Sequence, residues 1–375
     1  MIKAGFGVAT IDPTPPVFLA GFGARTQPAN KIHDSLQARA LCLDDGTTKL
    51  CLIVCDLLGM SPGFAQPARD GVAAALEIPR PNVMISCTHT HAGPSAMAGT
   101  EALGWPNPPG FGDVIRDGCI KAATQANSSY VEIELAYVRA PLPDGFAFNR
   151  RGGAYEAPTF NVLDVLGTGG RIGVVANLSI HPVLLGPDWL EVSTDWVGPF
   201  RAELEHLAGG TAIQLTGSLG DINPTPPEGK PEESYEPWAS AEQTASYGRR
   251  LASVVARALD DEKLVDGDLR VVRHETITAP VGGTPISAMV GADKLDVELV
   301  EWEIGDVRVV SLPGEAFHLL GREIAAARGD RVLLAGIANA WHGYLPHPWG
   351  DGYEEGVSYG EAFVKTVREA LVAAP

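Results

Sequence analysis

Long apolar runs are absent from this chain of 375 residues. No window approaches the about 18 uninterrupted apolar residues of a transmembrane helix, so no membrane span is expected. Basic charge is scarce as well: 28 Lys and Arg stand against 46 Asp and Glu, a formal net charge of -18, with no basic cluster to break the pattern. Such a field repels phosphate, which excludes nucleic acid as a partner and disfavours stable association with anionic membrane surfaces. Cysteine is rare. The five present (Cys42, Cys51, Cys55, Cys87 and Cys119) are odd in number and form no CxxC pair. They read as reduced core thiols of a cytoplasmic protein. The opening "MIKAGFGVATIDPTPP" lacks the apolar stretch of a signal peptide. Internal repeats and low-complexity linkers are missing too.

Core-forming residues, by contrast, are plentiful at 45% of the chain, enough to bury a large interior. Short Val/Ile/Leu-rich runs predict buried strands at 49–60, 82–89, 131–138, 161–167, 171–181, 211–217, 306–314 and 331–339. Helical spacing is clearest at 244–262, where Leu251, Val254, Val255, Ala258 and Leu259 share one face. Further helices are expected up to "VAAALEI" and near 113–126, 197–208, 316–327 and 360–373. This alternation predicts an α/β fold, a mixed β-sheet core with helices on both faces in three layers. Residues 1–375 are expected to form a single catalytic domain. The Pro- and Glu-rich stretch 223–237 follows a strand and predicts a surface loop bordering a site.

Chemistry concentrates at the ends of these runs. In "ISCTHTHAG" (85–93), a strand continued through the motif would turn His89 and His91 to one face, since side chains at i and i+2 share a side. Three later segments also deliver polar groups just beyond apolar runs. They are His181 in "ANLSIHP", Glu315 in "SLPGEAF", and Trp341, His342, Tyr344, His347 and Tyr353 in "NAWHGYLPHPWGDGYEEG". Groups arriving from separate strand ends are how an α/β sheet assembles a site along one edge. Two or three imidazoles and one carboxylate suit a catalytic Zn2+ with one position open for water. Singly, each has a plainer reading: His181-Pro182 as a turn, Glu315 as a carboxylate at a helix N-terminus, His342 and His347 as solvated loop histidines. Asp56 and Asp195 read as turn aspartates or as groups orienting a ligand histidine.

Taken in order, "AGFGVATIDPTPP", "HDSLQARAL", "CTHTHAGP", "FNRRGGAY", "IHP", "GSLGDINP", "LPGE" and "GYLPHP…YEEG" resemble the catalytic domain of the neutral (non-lysosomal) ceramidases. These are zinc-dependent amidases that cut N-acyl-sphingosine. The resemblance runs from about residue 3 to residue 357. It implies zinc ligands at His89, His181, Glu315 and Tyr344, with His91 beside the metal assisting at the reacting carbonyl. It also implies a site role for Arg150 of the "NR" element and for Tyr353 as a lining tyrosine. The family carries a catalytic serine in "GDxSP", whereas this chain reads "GDINP" with Asn223 in that place. Asparagine is neither a nucleophile nor a general acid, but its amide can donate to an oxyanion. The family continues into a C-terminal β-sandwich, while the sequence up to Pro375 is expected to hold the catalytic domain alone.

These readings combine into a zinc-dependent hydrolase in which metal-activated water attacks an amide, lactone or ester carbonyl of a small soluble substrate. His91 or Asp221 would relay the proton, and Arg150 would meet a substrate carboxylate or a developing oxyanion. Asp221 reads equally as a cap or turn residue. The alternatives are a ceramidase acting on N-acyl-sphingosine and a non-catalytic metal- or ligand-binding descendant of the family. An amidohydrolase-type barrel also binds metal through HxH, but it wants that pair near the N-terminus, with a lysine and a late aspartate on later strands. The chain offers no such series. No feature points to a particular oligomeric state.

Overall fold

Small and large side chains alternate along neighbouring strands, and that alternation decides how the layers stack. The computed structural model describes residues 1–152, 158–225 and 239–373, so most of the expected loop at 223–237 lies outside the described residues. The first strands are β1 (Lys3–Thr10), β2 (Gln37–Asp44), β3 (Lys49–Cys55) and β4 (Val83–Cys87). Ala38, Ala40, Cys42, Cys51, Ile53 and Cys55 face one side of this sheet, and Leu41, Leu43, Leu50, Leu52 and Val54 face the other. This is the period of two expected of a pleated strand buried on both faces.

Helices α1 (Pro62–Leu76) and α2 (Phe111–Ser128) cover the small side. On α2, Ile115, Cys119, Ala122, Ala123 and Ala126 line one face at helical spacing. The approach is close enough that a Cβ on Gly5 or Gly7 of β1 would overlap the carbonyl oxygen of Ala126 or Ala122. Glycine is the residue that permits such backbone contact.

The sheet continues through β5 (Val131–Pro141), β6 (Thr159–Gly167), β7 (Gly170–Leu178) and β8 (Thr211–Thr216), in the order β8-β7-β6-β5-β1-β2-β3-β4. It is mixed: β7–β8 and β3–β4 are parallel, and the other neighbours are antiparallel. Helices α3 (Val197–Ala208) and α4 (Ala241–Ala258) cover this half with Phe200, Leu204, Tyr247, Leu251 and Val255. A reciprocal Ser240–Gln243 capping box starts α4.

The opposite face of the large sheet meets a second one, ordered β9 (Leu269–Pro280), β10 (Lys294–Ile304), β11 (Val307–Ser311) and β12 (Val332–Ala335). Leu52, Val175 and Leu215 pack there against Trp302, Val309 and Leu333. Between β9 and β10 lies the short α5 (Pro285–Val290), and α6 (His318–Arg328) precedes β12. The short α7 (Tyr353–Gly356) and then α8 (Glu361–Val372) close the chain, with α6 and α8 covering the second sheet. The α/β architecture is as expected, with helices on both outer faces of a mixed β core. That core holds two sheets, one β layer more than the three-layer arrangement anticipated.

The end strands β4 and β8 of the large sheet meet across residues 336–339. Gly336 N donates to Thr216 O at 2.7 Å, and Ser86 Oγ donates to Gly336 O at 2.6 Å. Asn339 exchanges two bonds with Ile85, one through its own N–H (2.7 Å) and one accepted by its side chain (3.1 Å). All five cysteines are free and buried. Among the described residues, no helix is long and apolar enough to cross a membrane.

The contact between β1 and α2 is testable. Gly7→Ala pushes a methyl group into the Ala122 carbonyl and is expected to destabilise the fold by about 1–3 kcal/mol. That would appear as a lower urea midpoint at unchanged slope; an unaltered midpoint would contradict this packing.

Candidate metal centre

Strand β4 ends at Cys87, so the two histidines of the HxH motif are not on a strand. His89 adopts φ 71°, the left-handed region, and this kink rather than the pleat brings the rings together. The segment still runs beside the end of β3, through Thr88 N to Cys55 O and His89 N to Leu57 O, both at 2.9 Å. The His89 and His91 ring centroids lie 4.9 Å apart, nearly perpendicular at 81°. His181 arrives just past β7, its N–H bonded to Ile222 O. Glu315 begins a two-residue parallel ladder with Tyr344–Leu345, in which Glu315 pairs with Tyr344.

Backbone carbonyls set the state of two rings. His89 Nδ1 lies 2.6 Å from Leu58 O, and His181 Nδ1 lies 2.9 Å from Ile222 O. A carbonyl only accepts, so each Nδ1 carries the hydrogen, and the neutral tautomer this selects leaves a lone pair on Nε2. Both Nε2 atoms face the same Glu315 Oε2, at 3.2 and 3.3 Å. Burial, and then the nearby Arg150, push His181 down to about 4, which favours its neutral form at neutral pH.

Two lone pairs and a carboxylate oxygen at these distances repel one another unless a cation lies among them. Adjacent ligands of a tetrahedral Zn2+ stand about 3.3–3.4 Å apart for bonds of about 2.0–2.1 Å. The residues present therefore fit a divalent metal held by His89, His181 and Glu315.

His91 completes a three-histidine group whose ligand atoms all lie within 4.8 Å of one another. It is buried, and neither ring nitrogen has a hydrogen-bond partner. Burial, followed by His89 and His181, holds it well below 6.5. Gly21, at φ 104°, packs so closely that a Cβ there would overlap the His91 ring.

Arg150 organises the opposite wall. Its Nε donates to Glu354 (3.0 Å), one terminal nitrogen to Asn223 Oδ1 (2.9 Å), and the other to Gly220 O (2.6 Å) and Tyr344 Oη (3.2 Å). Most of its five N–H groups are thus committed, and it braces Asn223 and Tyr344 more than it reaches for a ligand. Asn223, whose Oδ1 accepts from Arg150, lines the cavity. Tyr344 is buried, and its hydroxyl lies 3.3 Å from that of Tyr353. Burial, and then Glu315, raise the Tyr344 phenol well above 10.

Other expected residues sit elsewhere. In Asp221 one oxygen accepts from Asn149 Nδ2 (2.6 Å) and the other from His318 N–H at the start of α6 (2.7 Å). It braces a loop and a helix end. Asp56 is locked against Arg201 by two bonds, and Asp195 accepts from the Leu185 and Trp196 N–H groups; neither orients a ligand ring. His342 is not solvated but buried, beside Tyr359 and Phe363, and burial lowers it to about 4. His347 pairs with Glu323 at 3.1 Å. Trp341 donates from Nε1 to Glu315 Oε1 at 2.8 Å. The orienting carbonyls of Leu58 and Ile222 have no signature in the sequence, because every residue carries that group.

The centre opens into a cavity of about 650 Å³ lined by Phe22, Leu58, Met97, Trp105, Ile286 and Trp341. Leu103, Met289 and Tyr353 stand exposed among its lining residues. A larger groove of about 800 Å³ beside α6 holds none of the metal-centre residues.

Fold and centre together define an α/β protein with a buried histidine–carboxylate site. No family model matches the chain, and neither does any curated protein. Two solved structures superpose on nearly all of it. The neutral ceramidase from Pseudomonas aeruginosa has a TM-score of 0.84 at 19% identity, covering 99% of this chain and 73% of that one. A ceramidase complexed with C2 has a TM-score of 0.83 at 18% identity, covering 99% and 74%. The chain has the fold of the neutral ceramidases.

His89→Ala and Glu315→Gln each remove a member of the converging set. The purified protein is expected to hold about one Zn2+ per chain, and either variant to lose most of it in elemental analysis after dialysis. Full occupancy in both variants would show that these residues are not the ligands.

Proposed function

We propose that the chain is a metal-dependent hydrolase of the neutral ceramidase family, cleaving an amide, ester or lactone bond of a soluble substrate of modest size. The observation that carries this reading is the pair of bare Nε2 atoms facing Glu315 Oε2 at 3.2 and 3.3 Å. His89, His181, Glu315 and Tyr344 would hold the metal, Tyr344 standing beside Glu315 in the short parallel ladder. Bound Zn2+ supplies an activated water at neutral pH and polarises the carbonyl.

The protein's own groups supply the rest. His91 has both ring nitrogens unpartnered and lies beside the other two imidazoles, where it is placed to carry a proton. Asn223, held through its oxygen by Arg150, offers its amide to the oxyanion that develops on the substrate. Nothing here requires the serine of the family. The apolar walls exclude water from the reaction and hold an apolar substituent. A cavity of about 650 Å³ fits a drug-sized molecule. Five reduced, buried cysteines suit a cytoplasmic location.

A second reading is favoured by the exposed Leu103 and Met289 among the residues lining the cavity. They suit a lipid chain, and the two superposed proteins are ceramidases by name.

A hydrolysis screen of zinc-loaded and chelator-treated protein against acyl amides, lactones and short-chain ceramide tests both. Soluble substrates turned over only with metal support the first reading; ceramide alone turned over supports the second. Activity indifferent to the chelator would refute metal-dependent hydrolysis. Asn223→Ala is expected to lower kcat by about 10²–10³ at most, the worth of one oxyanion donor, whereas His89→Ala abolishes turnover.

A further inference from the structure

Trp341 reaches Glu315 along a stretch of backbone that ordinary residues avoid. Ile337 and Asn339 have φ of 51° and 63°. For a β-branched residue this is an outlier, the kind of strain that persists only where surrounding structure enforces it. The enforcement is visible. Gly336 N bonds to Thr216 O (2.7 Å), Ala338 N to Leu312 O (2.9 Å), Asn339 N to Ile85 O (2.7 Å) and Trp341 N to Met60 O (2.7 Å). One segment is thereby pinned to both end strands of the large sheet and to the loop after β3.

The indole at the end of this segment packs over Gly59, where a Cβ would sit 3.0 Å from Trp341 Cβ. Its Nε1–H donates to Glu315 Oε1 at 2.8 Å. The two oxygens of Glu315 are consequently unlike: Oε2 faces both histidine nitrogens, and Oε1 is engaged by the indole.

We propose that Trp341 is a positioning residue that keeps Glu315 a one-oxygen ligand and so leaves a coordination position open for the reaction. The proposal rests on the metal reading above. A carboxylate with a free second oxygen can turn both oxygens to a cation, and in a buried site Oε1 has little water to turn to instead. A Glu315 bound through both oxygens would occupy the place that water or a substrate carbonyl needs. An indole packed for shape alone would leave the metal's coordination unchanged when only its N–H is removed.

The test uses apo protein, wild type and Trp341→Phe, titrated with Co2+ and read in the visible, with Zn2+ affinity measured by competition against a chromophoric chelator. Four-coordinate Co2+ absorbs more strongly than five- or six-coordinate Co2+. Trp341→Phe is expected to give a weaker Co2+ band and a Zn2+ affinity lowered by about 10–100-fold, as for other groups that orient a metal ligand. Should Trp341→Phe not fold, benzothienylalanine at position 341 keeps the ring shape and removes only the N–H, with the same results expected. A folded variant with unchanged Co2+ spectrum and unchanged Zn2+ affinity overturns the proposal alone. A wild type that takes up neither metal overturns the metal reading along with it.

Discussion

The hydrogen bonds from His89 Nδ1 to Leu58 O and from His181 Nδ1 to Ile222 O fix the tautomer of both rings, and the centre is arranged around that constraint. Once Nδ1 carries the hydrogen, each Nε2 must find a proton donor or a cation, and both find a carboxylate oxygen instead. Many metal sites orient their histidines with carboxylates, which a single substitution can remove. Here main chain does the orienting. Ile222 is anchored by pairing with Asn149 in a short antiparallel ladder, so the acceptor for His181 and the neighbouring Arg150 and Asn223 share one rigid unit.

The two-sheet core explains why these groups meet. The large sheet carries His89 just beyond one end strand and His181 just beyond the strand next to the other end. Residues 336–339 span the gap between those ends, and the chain continues directly to Trp341 and Tyr344. Glu315 leaves the second sheet just after β11 and pairs with Tyr344. Arg150 ties the short ladder at 222–224 to the same region through Asn223 and Tyr344. Each sheet thus contributes part of the centre, and packing between their apolar faces sets the register of one part against the other.

Much of this was legible in the sequence. Val/Ile/Leu-rich runs marked β3 to β8, β11 and β12, and helical spacing marked α1 to α4, α6 and α8. The strands that escaped lacked that composition. In β1, Gly5 and Gly7 exist to admit α2, and glycine carries no strand signal. β9 is largely exposed, and β10 buries Glu301 between Arg273 and Arg328, a charge that disguises a core position. The four segments that build the site were recognisable by residue type, since imidazoles and a carboxylate at strand ends are uncommon together. Their geometry was not. The left-handed turn at His89, the commitment of Asp221 to His318 and Asn149, and the indole on Glu315 all depend on partners distant in the chain. Residue identity alone does not encode such partners.

Because His89, His181 and Glu315 come from three distant parts of the chain, an unfolded molecule offers no assembled cage for a metal. A metal held as proposed would load after folding and would act on the folding equilibrium itself. A ligand that binds only the native state stabilises it by about 2.7 kcal/mol at a hundredfold excess over its dissociation constant. That is a large share of the about 5–15 kcal/mol on which a typical domain survives. The supply of free metal would therefore set how long each molecule persists against unfolding and proteolysis, and the population of this protein would rise and fall with that supply even where its synthesis stays constant.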